Sequence, residues 1–295
     1  MSGKLFFTLP DGRNAHLYQL RLADGFGVDI TDFGGCVVSL FTPDAAGELV
    51  DVALGWKEPA DYMVNRPYFG AMVGRIPNRI SGGRFELDGQ IYQTYLNDHG
   101  VCTLHGGFGY CHRLWDVESA TASELVLTLR SPHGDAGFPG ELFVRVSYRV
   151  KADHTLEIET SASSDRPTVA DLTNHTYFNL DGENYGSIAD HFIVMKSGKV
   201  TETDDSLQPT GKLIDVAGTR YDLRNGRKFS DIYADYANGF DDNFVLSEKD
   251  HDYRENVAVV TAGHSGIRMA LHTSRPGVQF YMGGFLNNQG KSFYP

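Results

Sequence analysis

Apolar and polar residues alternate with a period of two along most of this chain. In LFVRVSYRV, Leu142, Val144, Val146, Tyr148 and Val150 share one face, while Arg145, Ser147 and Arg149 share the other. Successive strand side chains point to opposite faces, so this stretch predicts a strand covered on one side. ELVLTLR and HTLEIETSA repeat the pattern, and Asp153-His154 predicts the turn that precedes the latter strand. RFELDGQIY sets Asp88-Gly89 between two short runs. Both residues tolerate left-handed backbone, which a two-residue hairpin turn needs. Helical spacing over ten or more residues is scarce, and EPADYMVN and FSDIYADY are the best candidates for short helices. Many short strands between Gly-, Asp- and Asn-rich turns predict an all-β fold, a large antiparallel β-sandwich with few short helices. No linker, charge block or repeat marks a boundary, so residues 1–295 are expected to form a single domain.

Composition narrows the partners. With 41% hydrophobic residues in 295, the chain can fill a large core, and nothing in it reads as disordered. A formal net charge of −12 argues against a phosphate backbone or an anionic membrane surface as partner. The start, MSGKLFFTLP, lacks the basic flank and long apolar run of a secretory signal, and no stretch approaches a membrane span. Three cysteines, Cys36, Cys102 and Cys111, are too few and too odd for a disulfide scaffold. A reduced, cytoplasmic protein is the expectation, with its oligomeric state left open.

The candidate chemistry lies in four segments. LTNHTYFNLDG places Asn174, His175 and Asn179 among the aromatics Tyr177 and Phe178, in a stretch whose flanks predict a buried strand. Polar groups taken from water without partners cost roughly 2–7 kcal/mol. They must therefore satisfy one another or meet a ligand. In GRIPNRI, Pro77 breaks any regular strand. Arg75, Asn78 and Arg79 are then either surface groups on an irregular loop or donors aimed at hydroxyl or carboxylate oxygens. TLHGGFGYCHRLW follows His105 with Gly106-Gly107, which permits a sharp turn or a close backbone approach. Zinc is disfavoured there, because Cys111 and His112 are adjacent and a structural site usually shows two spaced pairs. In NGFDDNFVL, Asp241 or Asp242 reads as an acidic turn or as an acceptor for sugar hydroxyls, and RPGVQFYMGGFL puts Gln279 and Tyr281 on one strand face. No nucleophile elbow and no catalytic cysteine context occurs. The inventory of His, Arg, Asn, Asp and Gln with aromatics can bind a neutral polyol and move protons without a covalent intermediate or a metal.

Six segments, DVALGWKEPADY, FGAMVGRIPNRISGGRFELDG, LNDHGVCTLHGG, LTNHTYFNLDG, GFDDNFVL and PGVQFYMGGFL, together resemble the aldose 1-epimerase (galactose mutarotase) family and occur in its order. The resemblance implies a large antiparallel β-sandwich, a supersandwich, with a sugar cleft. It also implies cofactor-free interconversion of the α and β anomers of a free aldohexose such as galactose or glucose. On matching positions, His175 would be the general acid toward the ring oxygen and His105 would hydrogen-bond near it. Asn78, Arg79, Tyr177, Asp241 and Gln279 would contact the sugar. The family's general base is a glutamate in an E-x-Q-like segment beyond the position of Gln279, and the sequence given stops at Pro295 before any such segment, so a truncated mutarotase or a natural short form is expected. Pro77 is a lesser departure. The sequence as given is therefore expected to bind sugar with much-reduced catalysis. The alternatives are a non-catalytic carbohydrate-binding or regulatory β-sandwich and, last, a relative acting on hexose 6-phosphates.

Overall fold

The computed structural model describes residues 2–107, 109–246 and 254–286. The chain folds into two compact units. Among the described residues, the first takes the chain up to Thr42 and Leu49–Tyr177, and the second takes Pro43–Glu48 and residues 178–286.

In the first unit, two antiparallel meanders supply the core. One runs through Lys4–Thr8, Asn14–Arg21, Gly27–Thr31, Cys36–Pro43 and Leu49–Asp51 in sequence order. The other runs through Asp116–Ala120, Glu124–Ser131, Leu142–Lys151 and Thr155–Ser164. Register turns the alternation into packing. Tyr18 opposes Ile30 and Leu20 opposes Val28, while Leu125, Leu127 and Leu129 oppose Tyr148, Val146 and Val144. All of these side chains belong to one buried cluster that also holds Val150, Trp115, Tyr110 and Met72. Facing apolar sides of two sheets is the packing of a β-sandwich. The alternating face read from LFVRVSYRV is the buried one. Asp88-Gly89 turns the hairpin Arg84–Leu87 to Gln90–Gln93 with both residues at positive φ, and His154 ends the loop between Leu142–Lys151 and Thr155–Ser164 at φ 60°.

Two short ladders matter most for function. Arg79–Ser81 pairs with Cys102–Leu104, joining Arg79 to Leu104, and Met72–Val73 pairs with Thr173–Asn174. Segments distant in sequence are thereby laid side by side just where the motif residues begin. Gly106 makes the approach possible: it sits at φ 75°, and a Cβ there would come within 2.0 Å of the Gly74 carbonyl oxygen.

Arg75 departs from both roles read for it. It is neither a surface arginine nor a ligand donor, because it is buried to 1% exposure and its guanidinium is fully engaged by the protein. It donates to the carbonyls of Ser131, Pro132, Pro139 and Gly140 and to the hydroxyls of Ser131 and Thr168. A guanidinium has five N–H donors in a rigid fork, which suits it to gather several loop carbonyls at once.

Among its described residues, the second unit holds two four-stranded antiparallel sheets. One is ordered Arg227–Lys228, Phe192–Met195, Ala258–Thr261, Arg268–Leu271, and the other Pro209–Asp215, Lys199–Thr203, Asp241–Val245, Gly277–Tyr281. Their core is aromatic: Phe229, Phe240 and Phe244 are buried, and the Phe240 and Phe280 ring centroids lie 6.0 Å apart. Both predicted helices form. Pro59–Val64 is a 3₁₀ turn, and Phe229–Asp235 is a short α-helix that buries Phe229 and Ile232 on one face. Among the described residues no helix is long and apolar enough to cross a membrane.

Candidate active site

The two ladders bring His105, His175, Asn78, Arg79 and Tyr177 into one cluster of the first unit. Asn78 and His105 each leave their strand with positive φ, 57° and 53°, and they grip one another. The His105 amide donates to the Asn78 carbonyl at 2.9 Å, and the Asn78 amide donates to His105 Nδ1 at 3.1 Å. That second bond fixes the tautomer. A backbone N–H can only donate, so Nδ1 is bare and the ring proton sits on Nε2. His175 is held through its backbone, its amide donating to Ala71 and its carbonyl accepting from Gly70.

Four rings pack together. The His105 and His175 centroids are 5.1 Å apart with planes at 90°, and His175 lies 5.0 Å from Tyr177. Tyr68 lies 4.6 Å from His105 and 5.9 Å from His175. Tyr177 donates its hydroxyl to the Pro67 carbonyl at 3.0 Å. Burial, then the neighbouring His175 and Arg79, holds His105 well below the ordinary imidazole pKa. His105 therefore stays neutral at physiological pH and presents an Nε2–H donor, because a second cation beside Arg79 would be costly.

Arg79 is oriented by an ion pair. Its Nε donates to Asp98 Oδ2 at 2.9 Å, with both side chains 14% exposed. The buried Cys102 thiol, pushed up to about 11 by burial and then by Asp98, stays protonated and faces the same oxygen at 3.5 Å. Asn97 staples the His105 loop by donating to the carbonyls of Leu104 and Gly107 and accepting the Leu104 amide. Tyr68, Asn97 and Asp98 are absent from the sequence-level site. The only hint lay in the polar pair Asn97-Asp98 a few residues before His105.

The polar residues of LTNHTYFNLDG divide. Asn174 does not await a ligand: its side chain donates to the Gly70 carbonyl at 2.8 Å and accepts the Thr176 amide at 3.1 Å. Asn179, buried, accepts the Asp181 amide. His175 and Tyr177, two apart, go with His105. Asp241 and Gln279 belong to the second unit, where Gln279 Nε2 donates to Asp241 Oδ1 at 2.8 Å. Asn243 is the direct partner of Gln279 in the ladder, so this is a diagonal pair on one sheet face. Asp241 also lines a cavity of about 290 Å³ with Thr201, Arg220, Tyr236 and Asn238. That volume is near the lower end for small-molecule sites. Asp242 turns inward, and burial raises its carboxyl pKa. Among the described residues no group of three or more His, Cys, Asp or Glu is arranged to hold a metal ion.

The family model for aldose 1-epimerase matches residues 16–295. The chain belongs to this family. It is 38% identical over 293 residues to a galactose mutarotase of Rattus norvegicus, an alignment covering 98% of this chain and 84% of that protein. It is 33% identical over 283 residues to an aldose 1-epimerase of Escherichia coli (strain K12), covering 94% and 81%. A solved GalM/aldose epimerase homologue from C. elegans matches with a TM-score of 0.86 at 28% identity, over 94% of this chain and 84% of that one. A galactose 1-epimerase from Lactobacillus acidophilus NCFM matches at 0.83 and 25% identity, over 99% and 86%. The antiparallel β-sandwich expected from the alternation is the fold of the chain, as it is of these relatives.

The state of His105 sets a pH dependence. An unfolded imidazole titrates near 6.5 and the folded one well below it, so between those values only the unfolded chain binds the proton. Stability is then lost as pH falls through about 6.5, with a slope of at most ~1.4 kcal/mol per pH unit. Urea midpoints between pH 7.5 and pH 5 are expected to fall more steeply for the parent chain than for His105→Gln, whose amide oxygen can still accept from Asn78. Equal slopes would remove His105 as the cause.

Proposed function

We propose that this chain binds a free aldohexose and interconverts its α and β anomers by acid–base ring opening and reclosure. The observation that carries this reading is the pairing of a neutral, Nε2-protonated His105 with His175 at 5.1 Å, flanked by Asn78, Arg79 and Tyr177. Anomerisation breaks the bond between C1 and the ring oxygen. A proton must leave the C1 hydroxyl while another reaches the ring oxygen, giving an open-chain aldehyde. C1 then turns about its bond to C2, and closure on the other face returns both protons. His175 gives the proton to the ring oxygen and takes it back, as an imidazole can near neutral pH. His105 cannot share that duty, because its Nδ1 is occupied and its charge is suppressed; it donates a hydrogen bond and orients the sugar. Asn78 and Arg79 bind hydroxyls, with Arg79 held by Asp98, and Tyr177 completes the contacts within this unit.

The carboxylate that the cluster holds, Asp98, is committed to the Arg79 ion pair, and that favours a second reading, a carbohydrate-binding sandwich without chemistry. Polarimetry on freshly dissolved α-galactose separates the two. An acceleration proportional to protein supports the epimerase, and a rotation curve identical to buffer, with saturable sugar binding by titration, supports the binder.

A further inference from the structure

Tyr68 sits where a bulky residue is unwelcome. Its φ is 61°, the left-handed region that glycine occupies without penalty and in which an aromatic side chain is strained. The surrounding turn over-determines the position. The Tyr68 amide donates to the Asn65 carbonyl, and its carbonyl accepts from Ala71. Asn65 is fully buried; it exchanges hydrogen bonds with Phe69 and accepts from Trp56 Nε1. Among the described residues eight non-glycine positions have positive φ, and three of them, Tyr68, Asn78 and His105, meet in this one cluster. Asp88 and His154, by comparison, turn hairpins.

The Tyr68 ring closes a triangle with the two imidazoles, with centroid separations of 4.6, 5.1 and 5.9 Å. His105 is gripped at Nδ1 by the Asn78 amide, but one hydrogen bond leaves the ring free to tilt about it. The edge-to-face contact with Tyr68, at 69°, removes that freedom. Among the described residues no hydrogen bond engages the Tyr68 hydroxyl, so its ring carries the contact with the histidines. Burial raises its pKa, with the neighbouring Cys111 and Asp98 adding to the effect, so the phenol stays protonated.

We propose that Tyr68 is a positioning residue for the anomerisation: its ring fixes the angle between His105 and His175 and keeps water from between them. The inference rests on the proposed function for its kinetic consequence, while its structural content stands apart from it. Misplacing a catalytic group by about 1 Å can cost ~10²-fold in rate. Tyr68→Gly removes the ring and relieves the backbone strain, so it folds at least as readily at this turn as Tyr68→Ala.

The test compares the full chain with Tyr68→Phe and Tyr68→Gly by polarimetry and by NMR titration of the His105 C2 proton, a group faced by His175, Arg79 and Tyr68. The expected result is a fall of about 10²-fold in kcat with little change in KM for Tyr68→Gly, and most of the rate kept by Tyr68→Phe. In the parent chain and Tyr68→Phe, His105 is expected to stay neutral through the range where Tyr68→Gly shows an imidazole moved toward the ordinary value near 6.5. Equal losses in Tyr68→Phe and Tyr68→Gly would overturn the proposal, because the hydroxyl would then act directly. An unchanged His105 titration in Tyr68→Gly would overturn it as well. If the parent chain itself fails to accelerate anomerisation, the epimerase reading fails, and the titration still decides whether the ring positions His105.

Discussion

Replacing Arg75 by Met is expected to destabilise the first unit by about 4 kcal/mol or more, among the largest effects a single substitution gives. The side chain is as long and as apolar as the stem it replaces, so little packing is lost. What is lost is the set of hydrogen bonds, some of them shared, from the five N–H groups of one buried guanidinium to four carbonyls and two hydroxyls. Each orphaned buried acceptor costs roughly 1–3 kcal/mol, reduced where water or loop relaxation can reach it. Lysine would not rescue the site, because a point charge with three donors cannot span carbonyls from Ser131 to Gly140. The damage should spread to the candidate site. The Arg75 carbonyl accepts the Asp171 amide just ahead of the His175 strand, and Asn78 and Arg79 follow within four residues. Urea unfolding of Arg75→Met and Arg75→Lys measures this. An unfolding free energy within about 1 kcal/mol of the parent chain would mean the loop holds itself without the guanidinium.

His175→Asn is expected to lower the rate of anomerisation by about 10²–10⁴-fold while leaving sugar affinity largely intact. The backbone bonds to Ala71 and Gly70 do not depend on the side chain, so the strand end should keep its place. An amide can still hydrogen-bond the ring oxygen but cannot lend it a proton at neutral pH. His105 cannot take over, since its Nδ1 already accepts the Asn78 amide and burial opposes its protonation. Polarimetry with parallel sugar titration separates rate from binding. A parent-like rate in His175→Asn would end its assignment as the acid, whichever group then proved responsible.

Within the site, legibility followed locality. His175 and Tyr177 stood out in their segment because polar groups in an otherwise apolar strand context are improbable without a partner, whereas His105 entered through the family resemblance, which also supplied the roles expected of all three. Asn174 met the same criterion and proved to be satisfied by Gly70 and Thr176. Arg75 and Arg79 stand in one short motif, yet one became a buried strut and the other an ion-paired arm. Nothing in GRIPNRI distinguishes them, because the carbonyls of residues 131–140 and the carboxylate of Asp98 lie elsewhere in the chain. Tyr68 was invisible for a related reason. Neither its left-handed backbone nor its neighbours can be read from NRPYFGA.

By itself the sequence determined the antiparallel all-β architecture, the buried face of Leu142–Lys151, the Asp88-Gly89 hairpin and the two short helices. Each of those follows from side-chain periodicity or turn chemistry, which act over a few residues. Only the tertiary structure decided the tautomer of His105, the partner of Arg79, the burial of Arg75 and the place of Tyr68. Those depend on contacts across many residues of chain, and their energies exist only once the ladders have set distant segments side by side.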